Sequence, residues 1–160
     1  MTVSPLAAVP NDWDRKGLPA WSFFSNDMLE AEKELLFRSH WQLVCHVSDI
    51  PDVGDFMTLD VVGERALVIR GKDSEVRAFH NLCRHRGSRV VADERGTCKS
   101  AIICPFHGWG FATDGALVDI PARKGNSGRH RPGDPALALA PAARIESHRG
   151  FVFAAGTAGG

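Results

Sequence analysis

The feature that most constrains this chain is a pair of short segments that each contain one cysteine and one histidine. Cys83-Arg84-His85 is followed, after eighteen intervening residues, by Cys104-Pro105-Phe106-His107. Thiolate and imidazole are the side chains that bind zinc ions and some iron–sulfur clusters. We therefore expect Cys83, His85, Cys104 and His107 to converge on one metal centre, held between two loops.

Length and charge narrow the class of protein. The 160 residues suffice for one domain with a core, and nineteen basic and nineteen acidic residues cancel. A neutral chain has no general electrostatic attraction to nucleic acid or to an anionic membrane. No apolar run approaches the roughly 20 residues of a membrane span, and the N-terminus lacks the pattern of a signal peptide. We expect a cytoplasmic protein, whose four cysteines favour metal binding over disulfides.

The residue pattern predicts a mainly β protein. Segments of period two, separated by turns rich in glycine and proline, predict strands at 42–47, 56–62, 65–70, 76–80 and 101–104, and hairpins within 111–116 and 144–153. Many short strands with frequent glycine indicate a small antiparallel β-sandwich or barrel.

The N-terminal residues follow a different pattern. Residues 1–22 contain three prolines and little periodicity, which predicts an extended arm. Asp27 followed by Glu30 resembles a capping box and predicts a short helix over 28–37. Trp41 is expected to anchor the core.

Two later stretches complete the organisation of the chain. Proline, glycine, arginine and alanine dominate residues 121–141, which predicts a surface loop, and Ala154–Gly160 are too small to build a core. We divide the chain into an arm with a short helix (1–40), a metal-binding domain (41–155) and a flexible tail (156–160).

The ligand set admits two kinds of metal centre. Two cysteines and two histidines form a common structural zinc set, whereas in a Rieske [2Fe–2S] centre two thiolates hold one iron and two histidines the other. Zinc fingers group like ligands, but here each segment carries one of each. Gly87 and Gly108 allow each loop to turn close to a cluster, so that backbone amides point at sulfur. The pattern favours the cluster, and a structural zinc module is the alternative.

The local sequence also resembles a known family. Asn81-Leu82-Cys83-Arg84-His85-Arg86-Gly87 and Cys104-Pro105-Phe106-His107-Gly108-Trp109 resemble the N-terminal Rieske domain of Rieske non-haem iron oxygenases, the large (alpha) subunits of ring-hydroxylating enzymes. The resemblance runs from about Trp41 to Phe153. It implies a Rieske-type β-sandwich with a short N-terminal helix. It also implies a [2Fe–2S] cluster with Cys83 and Cys104 on one iron and His85 and His107 on the other.

Two departures distinguish this chain from the Rieske proteins of the cytochrome bc complexes. Those proteins carry an extra cysteine in each loop, joined as a disulfide, where this chain has Ser88 and Phe106. They also have a serine that donates to a bridging sulfide, where this chain has Trp109. Fewer donors to sulfur predict a potential in the lower part of the Rieske range, which is roughly −150 to +300 mV.

The resemblance implies a role in electron transfer. In the family, a ferredoxin or flavin reductase reduces the Rieske cluster. The electron then passes to a mononuclear Fe(II) in the catalytic domain of a neighbouring subunit, within a trimer, and O2 is activated for hydroxylation or demethylation. The histidine at the place of His107 faces that domain.

Residues for the two-His-one-carboxylate site of that iron cannot be placed before Gly160. We therefore expect an electron-transfer part of an oxidoreductase, without its C-terminal catalytic domain and not catalytically competent alone. The alternative is a stand-alone Rieske ferredoxin, although such carriers usually lack a 40-residue N-terminal arm.

Three arginines flank the first segment. Arg84, Arg86 and Arg89 form either a docking patch for an acidic ferredoxin or reductase, or solvated charges that pair with Asp93 or Glu94.

The remaining cysteines and histidines are assigned no ligand role. Cys45 is expected in a buried strand and Cys98 in a loop, and His130 among the ordinary surface or strand histidines. His80 stands five residues before His85, a spacing used in mononuclear iron sites, but His85 is already assigned to the cluster.

Overall fold

Ten short strands make up most of the regular secondary structure in this computed structural model, which describes residues 17–61, 63–121, 130–142 and 144–155. The strands are β1 (Gln42–His46), β2 (Asp55–Val61), β3 (Glu64–Arg70), β4 (Val76–His80), β5 (Arg95–Thr97), β6 (Ile102–Ile103), β7 (Gly110–Phe111), β8 (Leu117–Asp119), β9 (Arg144–His148) and β10 (Phe151–Ala155). They form three antiparallel sheets of order β1-β10-β9, β4-β3-β2-β5 and β6-β7-β8. The prediction of a mainly β, antiparallel fold is confirmed.

Strand β3 is the centre of the fold because both of its faces are buried. Leu67, Val68 and Ile69 are each 0% exposed. Successive side chains of a strand point to opposite faces. Leu67 and Ile69 accordingly enter one apolar cluster and Val68 enters another. The first cluster also contains the two cysteines of the predicted metal centre, so the core of the sheets and the base of the site are continuous.

The strand predictions are largely confirmed, with two exceptions near the site. Strand β5 was not predicted, because Arg95–Thr97 is exposed and lacks the apolar alternation on which the prediction relied. It forms by pairing with β2, where Gly96 lies opposite Phe56. The predicted buried strand at 101–104 is shorter than expected. It comprises Ile102 and Ile103, of which Ile102 is buried and Ile103 exposed.

The N-terminal segment contains more helix than predicted, and it begins at another residue. A 3-10 helix covers Ala20–Phe23, and helix α1 (Asn26–Glu32) continues into a π-helical turn at Lys33–Phe37. The predicted start at Asp27 is wrong. Ser25 is the N-cap and accepts a hydrogen bond from the amide of Met28. Ser25 has the extended backbone of a capping residue, whereas Asp27 lies within the first turn.

Trp41 is not the core anchor that was predicted. Its side chain is 37% exposed. It lies just before β1, where the guanidinium of Arg144 in β9 stands 4.9 Å from the centroid of its ring. The indole therefore makes a cation–π contact near the surface. None of the helices that the structure describes has the length and apolarity that a membrane span requires.

The predicted surface loop at 121–141 is wrong for its second half. Leu139 is buried in the main cluster, and its amide donates to the carbonyl of Gly115 at 2.8 Å. The carbonyl of Ala140 accepts from His80 in β4. A sequence without periodicity can therefore be ordered by backbone bonds to distant strands. Residues 122–129 lie outside the described residues.

The C-terminal prediction also needs correction. Ala154 and Ala155 are buried and belong to β10, which lies between β1 and β9. Small side chains suit this central strand because they allow close packing. The predicted tail at 156–160 and the first part of the predicted arm, 1–16, lie outside the described residues.

Gly54 offers a test of the close approach between the turn before β2 and the chain after β5. Its φ is +90°, and a Cβ there would collide with the carbonyl of Cys98. We expect Gly54→Ala to lower the free energy of unfolding by about 2–4 kcal/mol, because left-handed strain and overlap add together. Urea denaturation measures the loss.

Gly63→Ala is the matched control for this substitution. Gly63 has a similar φ of +87° but open space around the Cβ position. The strain alone predicts a loss of about 1–2 kcal/mol. Equal losses in the two variants would show that the collision at Gly54 contributes nothing.

Candidate metal centre

The first cysteine- and histidine-containing segment folds into a closed loop, residues 83–88, which we call loop 1. The amide of Cys83 donates to the carbonyl of Ser88, and the amide of Gly87 donates to the carbonyl of Cys83, both at 2.8 Å. Gly87 has a φ of +68°. The glycine therefore supplies the left-handed residue at which the chain turns back toward its cysteine.

The second segment forms a loop of the same backbone pattern, residues 104–109, which we call loop 2. The amide of Cys104 donates to the carbonyl of Trp109, and the amide of Gly108 donates to the carbonyl of Cys104, both at 2.9 Å. Gly108 has a φ of +78°. In both loops the glycine stands four residues after the cysteine. The expectation that these glycines let the loops turn is confirmed.

A buried asparagine supports loop 1 from beneath. Asn81 is 2% exposed, and its side-chain oxygen accepts from the amides of Val90 and Val91 at 3.0 and 2.9 Å. Its side-chain nitrogen donates to the carbonyl of Val91 at 2.8 Å. Asn81 thus joins the chain just before loop 1 to the chain just after it, which holds both ends of the loop in place.

The four predicted ligands come together as two pairs of like side chains. The Nδ1 atoms of His85 and His107 are 3.1 Å apart. The thiols of Cys83 and Cys104 lie close enough that each contributes to the pKa shift of the other. Among the residues that the structure describes, no three His, Cys, Asp or Glu side chains converge as ligands of a single ion. The arrangement is therefore two pairs, one of sulfur and one of nitrogen.

The two pairs differ in burial. Cys83 and Cys104 are 4% and 1% exposed, whereas His85 and His107 are partly exposed. The sulfur pair lies within the main apolar cluster, and the nitrogen pair lies nearer the surface.

Hydrogen bonds at the sulfur of Cys104 favour its charged form. Burial on its own would raise the pKa of this thiol. Hydrogen bonds from the hydroxyl of Ser88, the amide of Phe106, the thiol of Cys83 and the amide of His107 outweigh burial and hold the pKa below its usual value. The Ser88 hydroxyl oxygen is 3.3 Å from the sulfur. Amides directed at sulfur were expected from the glycine positions, whereas the Ser88 contact was not.

The surroundings of Cys83 and His85 shift the pKa values of these two ligands in opposite directions. Burial raises the pKa of the Cys83 thiol, although the amides of His85 and Arg86 hydrogen-bond to its sulfur and act in the opposite direction. Burial, with the positive charges of His107, Arg86 and His130, lowers the pKa of His85. The neutral imidazole that results is the form that binds metals.

Two aromatic residues near the site were missed by the sequence analysis. The indole of Trp109 stacks on the ring of His85, with centroids 4.8 Å apart and planes at 11°. The ring of His130 contacts the indole of Trp109 edge-on, with the two centroids 5.4 Å apart. Trp109 is part of the motif that resembles the family, but the sequence indicated only that it replaces a serine hydroxyl and not that its indole stacks on a ligand. Nothing in the local sequence connects His130, 21 residues later, to the site.

Arg84 and Arg89 make contacts other than the pairing with Asp93 or Glu94 that one of the two predictions gave. Arg89 donates to the carboxylate of Asp60 in β2 at 2.8 Å, so a partner at Asp93 or Glu94 is wrong for this residue. Arg84 donates to the carbonyl of Ala136 at 3.3 Å. Asp60 lies in β2, 29 residues before Arg89, so this ion pair depends on the tertiary fold and not on neighbours in the sequence.

The donor set fits a two-iron cluster. Metal–nitrogen bonds of about 2.0–2.1 Å allow two nitrogen atoms 3.1 Å apart to bind the same metal ion. A Rieske centre divides its ligands as two thiolates and two imidazoles, which is the division seen here. A family model described as the Rieske [2Fe-2S] domain matches residues 40–139.

The chain belongs to the Rieske [2Fe–2S] domain family. Among curated relatives of this Rieske domain, the carnitine monooxygenase oxygenase subunit of Escherichia coli (strain K12) is 37% identical over 156 residues, which is 94% of this chain and 40% of the relative. The large oxygenase component of the naphthalene 1,2-dioxygenase system of Pseudomonas putida is 35% identical over 127 residues, 79% of this chain and 28% of the relative. The chain therefore spans about two fifths or less of the length of these relatives.

Solved structures agree with this assignment. A quaternary ammonium Rieske monooxygenase in complex with γ-butyrobetaine superposes with a TM-score of 0.76 and 33% identity, over 95% of this chain and 44% of that one. A naphthalene 1,2-dioxygenase from Rhodococcus sp. superposes with a TM-score of 0.77 and 29% identity, over 90% and 32% of the two chains. The predicted Rieske fold and the resemblance to oxygenase alpha subunits are confirmed.

Asn81 provides a test of how loop 1 is supported. We expect Asn81→Ala to lower the free energy of unfolding by about 2–4 kcal/mol, because the amides of Val90 and Val91 lose a buried acceptor. We also expect the purified variant to hold less iron and sulfide per chain, because loop 1 loses its support.

Thr113→Ala is the control for general destabilisation. Thr113 is also a buried polar residue, but its hydroxyl accepts from the amide of Lys72, outside both loops. We expect this variant to lose stability while keeping its iron content. An equal loss of iron from both variants would mean that Asn81 has no particular role in the site.

Proposed function

We propose that this Rieske domain holds a [2Fe–2S] cluster, with Cys83 and Cys104 on one iron and His85 and His107 on the other. The observation that carries the proposal is the pairing of like ligands across two loops, with buried sulfur and partly exposed nitrogen. The cluster, when bound, supplies a site that takes up and releases one electron. We propose that the cluster transfers electrons within an oxygenase.

The surrounding residues support this function in two ways. Backbone amides of loops 1 and 2 donate to both cysteine sulfurs and stabilise the negative charge that thiolates bring into the core. The main apolar cluster excludes water from the sulfurs. The partly exposed imidazoles leave one side of the site open to a redox partner.

The partners follow from the relatives. We propose a ferredoxin or flavin reductase as electron donor and, as acceptor, a mononuclear Fe(II) in the catalytic domain of a neighbouring subunit, within a trimer. Several relatives are named as oxygenase subunits or components. One solved quaternary ammonium Rieske monooxygenase is described with inter-subunit electron transfer. The exposed Arg86, beside His85, is suited to an acidic donor.

The division of the chain is proposed on the same basis. Residues 41–155 would form the Rieske domain, and the helical part of residues 1–40 would pack on the catalytic domain of the oxygenase. Exposed apolar side chains in the described part of this segment support that role: Leu18, Trp21, Phe23, Phe24, Leu29, Leu35 and Leu36.

Substitution of the cysteines tests the ligand assignment. We expect Cys83→Ala and Cys104→Ala to abolish the visible absorption of the chain and the EPR signal of its dithionite-reduced form, because each removes a thiolate from the same iron. The native chain should give the low average g-value of a cluster with mixed histidine and cysteine ligands.

Cys98→Ala is the matched control, since Cys98 is partly buried but belongs to neither loop. It should keep the absorption and the EPR signal. A colourless, EPR-silent native chain that contains zinc would contradict the proposed function, as would loss of the cluster from Cys98→Ala alone.

The midpoint potential tests the placement within the Rieske class. Trp109 stands where the Rieske proteins of the cytochrome bc complexes have a serine hydroxyl, and the aromatic hydroxyl that commonly lies near the position of Phe111 is absent, so neither residue has a hydroxyl that can donate to sulfur. We expect a midpoint in the lower part of the range of roughly −150 to +300 mV, measured by redox titration followed by EPR. A value near the top of this range would contradict the prediction.

A further inference from the structure

Ser88 contacts both loops of the site. Its backbone carbonyl accepts from the amide of Cys83 at 2.8 Å and so closes loop 1. Its hydroxyl oxygen lies 3.3 Å from the sulfur of Cys104 in loop 2. One residue at the end of the first loop therefore places a polar hydrogen against a ligand of the second.

We propose that Ser88 is a positioning residue that sets the potential of the site, because its hydroxyl donates to the Cys104 sulfur and stabilises the reduced form. The inference rests on the proposed function, since it assumes that Cys104 is an iron ligand. The inference gives the side chain of Ser88, in loop 1, a role in electron transfer.

The direction of the hydrogen bond follows from the chemistry of the two groups. A serine hydroxyl has one hydrogen to donate and can also accept. A cysteine that binds iron does so as a thiolate and has no proton to give. The bond from Ser88 to Cys104 must therefore run from oxygen to sulfur whenever the metal is bound.

The effect on the potential follows from the change in charge. Reduction adds one negative charge to a cluster that is held by anionic sulfur. A donor to that sulfur stabilises the more negative state more strongly, so the potential rises. Cys104 is 1% exposed. Water has little access to replace the hydroxyl, and a hydrogen bond in such surroundings is stronger than one in water.

Ser88 differs from the other donors to this sulfur in being replaceable. The amides of Phe106 and His107 also donate to Cys104, but they belong to the backbone. The serine hydroxyl is a side-chain group, and a change of side chain removes it while the backbone carbonyl that closes loop 1 remains. The residue at this position can therefore adjust the potential without altering the four ligands.

Two pairs of variants isolate the hydroxyl. The native chain and Ser88→Ala form one pair, and Ser88→Thr and Ser88→Val form the other. The members of the second pair have nearly the same size and shape and differ by a hydroxyl. All four proteins are prepared as the full 160-residue chain with the cluster assembled from iron and sulfide, and the midpoint of each is measured by redox titration.

We expect both hydroxyl-free variants to have a more negative midpoint than their hydroxyl-bearing partners. The shift corresponds to a fall of up to about tenfold in the equilibrium constant for one-electron reduction, or about 59 mV. If Ser88→Ala fails to assemble a cluster, the threonine and valine variants still give the comparison. Equal midpoints within the pairs, or a Ser88→Thr midpoint as low as that of Ser88→Val, would overturn the inference.

Pulsed EPR in D2O provides a readout that a purely structural role would not change. The reduced native chain should show coupling to an exchangeable deuteron that is missing from the hydroxyl-free variants. If all chains give the EPR signal of a cluster but none differs in potential or deuteron coupling, the inference alone fails. If no chain, including the native one, gives the signal, the proposed function fails and the inference fails with it.

Discussion

The candidate site depends on one geometric constraint, which is that two loops of the same form must face each other. Each loop carries one cysteine and one histidine and closes through a glycine with positive φ, Gly87 or Gly108. A single loop therefore offers two different ligand atoms, one sulfur and one nitrogen. Like ligands meet only across the pair, where the two Nδ1 atoms come within 3.1 Å. The ability to divide ligands between two irons is therefore a property of how the loops pack together.

Packing of the loops depends in turn on the sheets beneath them. Strand β3 is buried on both faces and shares the main apolar cluster with the two cysteines. Asn81 joins the ends of loop 1, and β6 and β7 lead into and out of loop 2. A buried cysteine that binds metal as a thiolate carries a negative charge, and this charge must be stabilised by hydrogen-bond donors. Amides from both loops and the hydroxyl of Ser88 provide them. Support, burial and hydrogen bonding of the sulfur pair thus come from the same short segments.

The fold was predictable where local pattern and tertiary environment agree. Strands β1 to β4 and the hairpin of β9 and β10 follow a period-two pattern and were found close to the predicted positions. The prediction was wrong where contacts with residues far along the chain determine whether a segment forms a strand or is buried. Strand β5 forms by pairing with β2, and Leu139 is buried in the main apolar cluster, where its amide donates to the carbonyl of Gly115. Trp41 is large and apolar, yet it lies near the surface against Arg144.

The sequence alone established the ligand types, their spacing within each segment and the glycines that shape the loops, because within a segment these residues are at most four positions apart. It also determined the Rieske family, since the family's signature is local. The side chains that lie against the ligands depend on the tertiary fold. The hydroxyl of Ser88 on Cys104, the indole of Trp109 on His85 and the pairing of Arg89 with Asp60 join residues 16, 24 and 29 positions apart. Such contacts depend on how two loops and a sheet are placed in space, and no local periodicity records that placement.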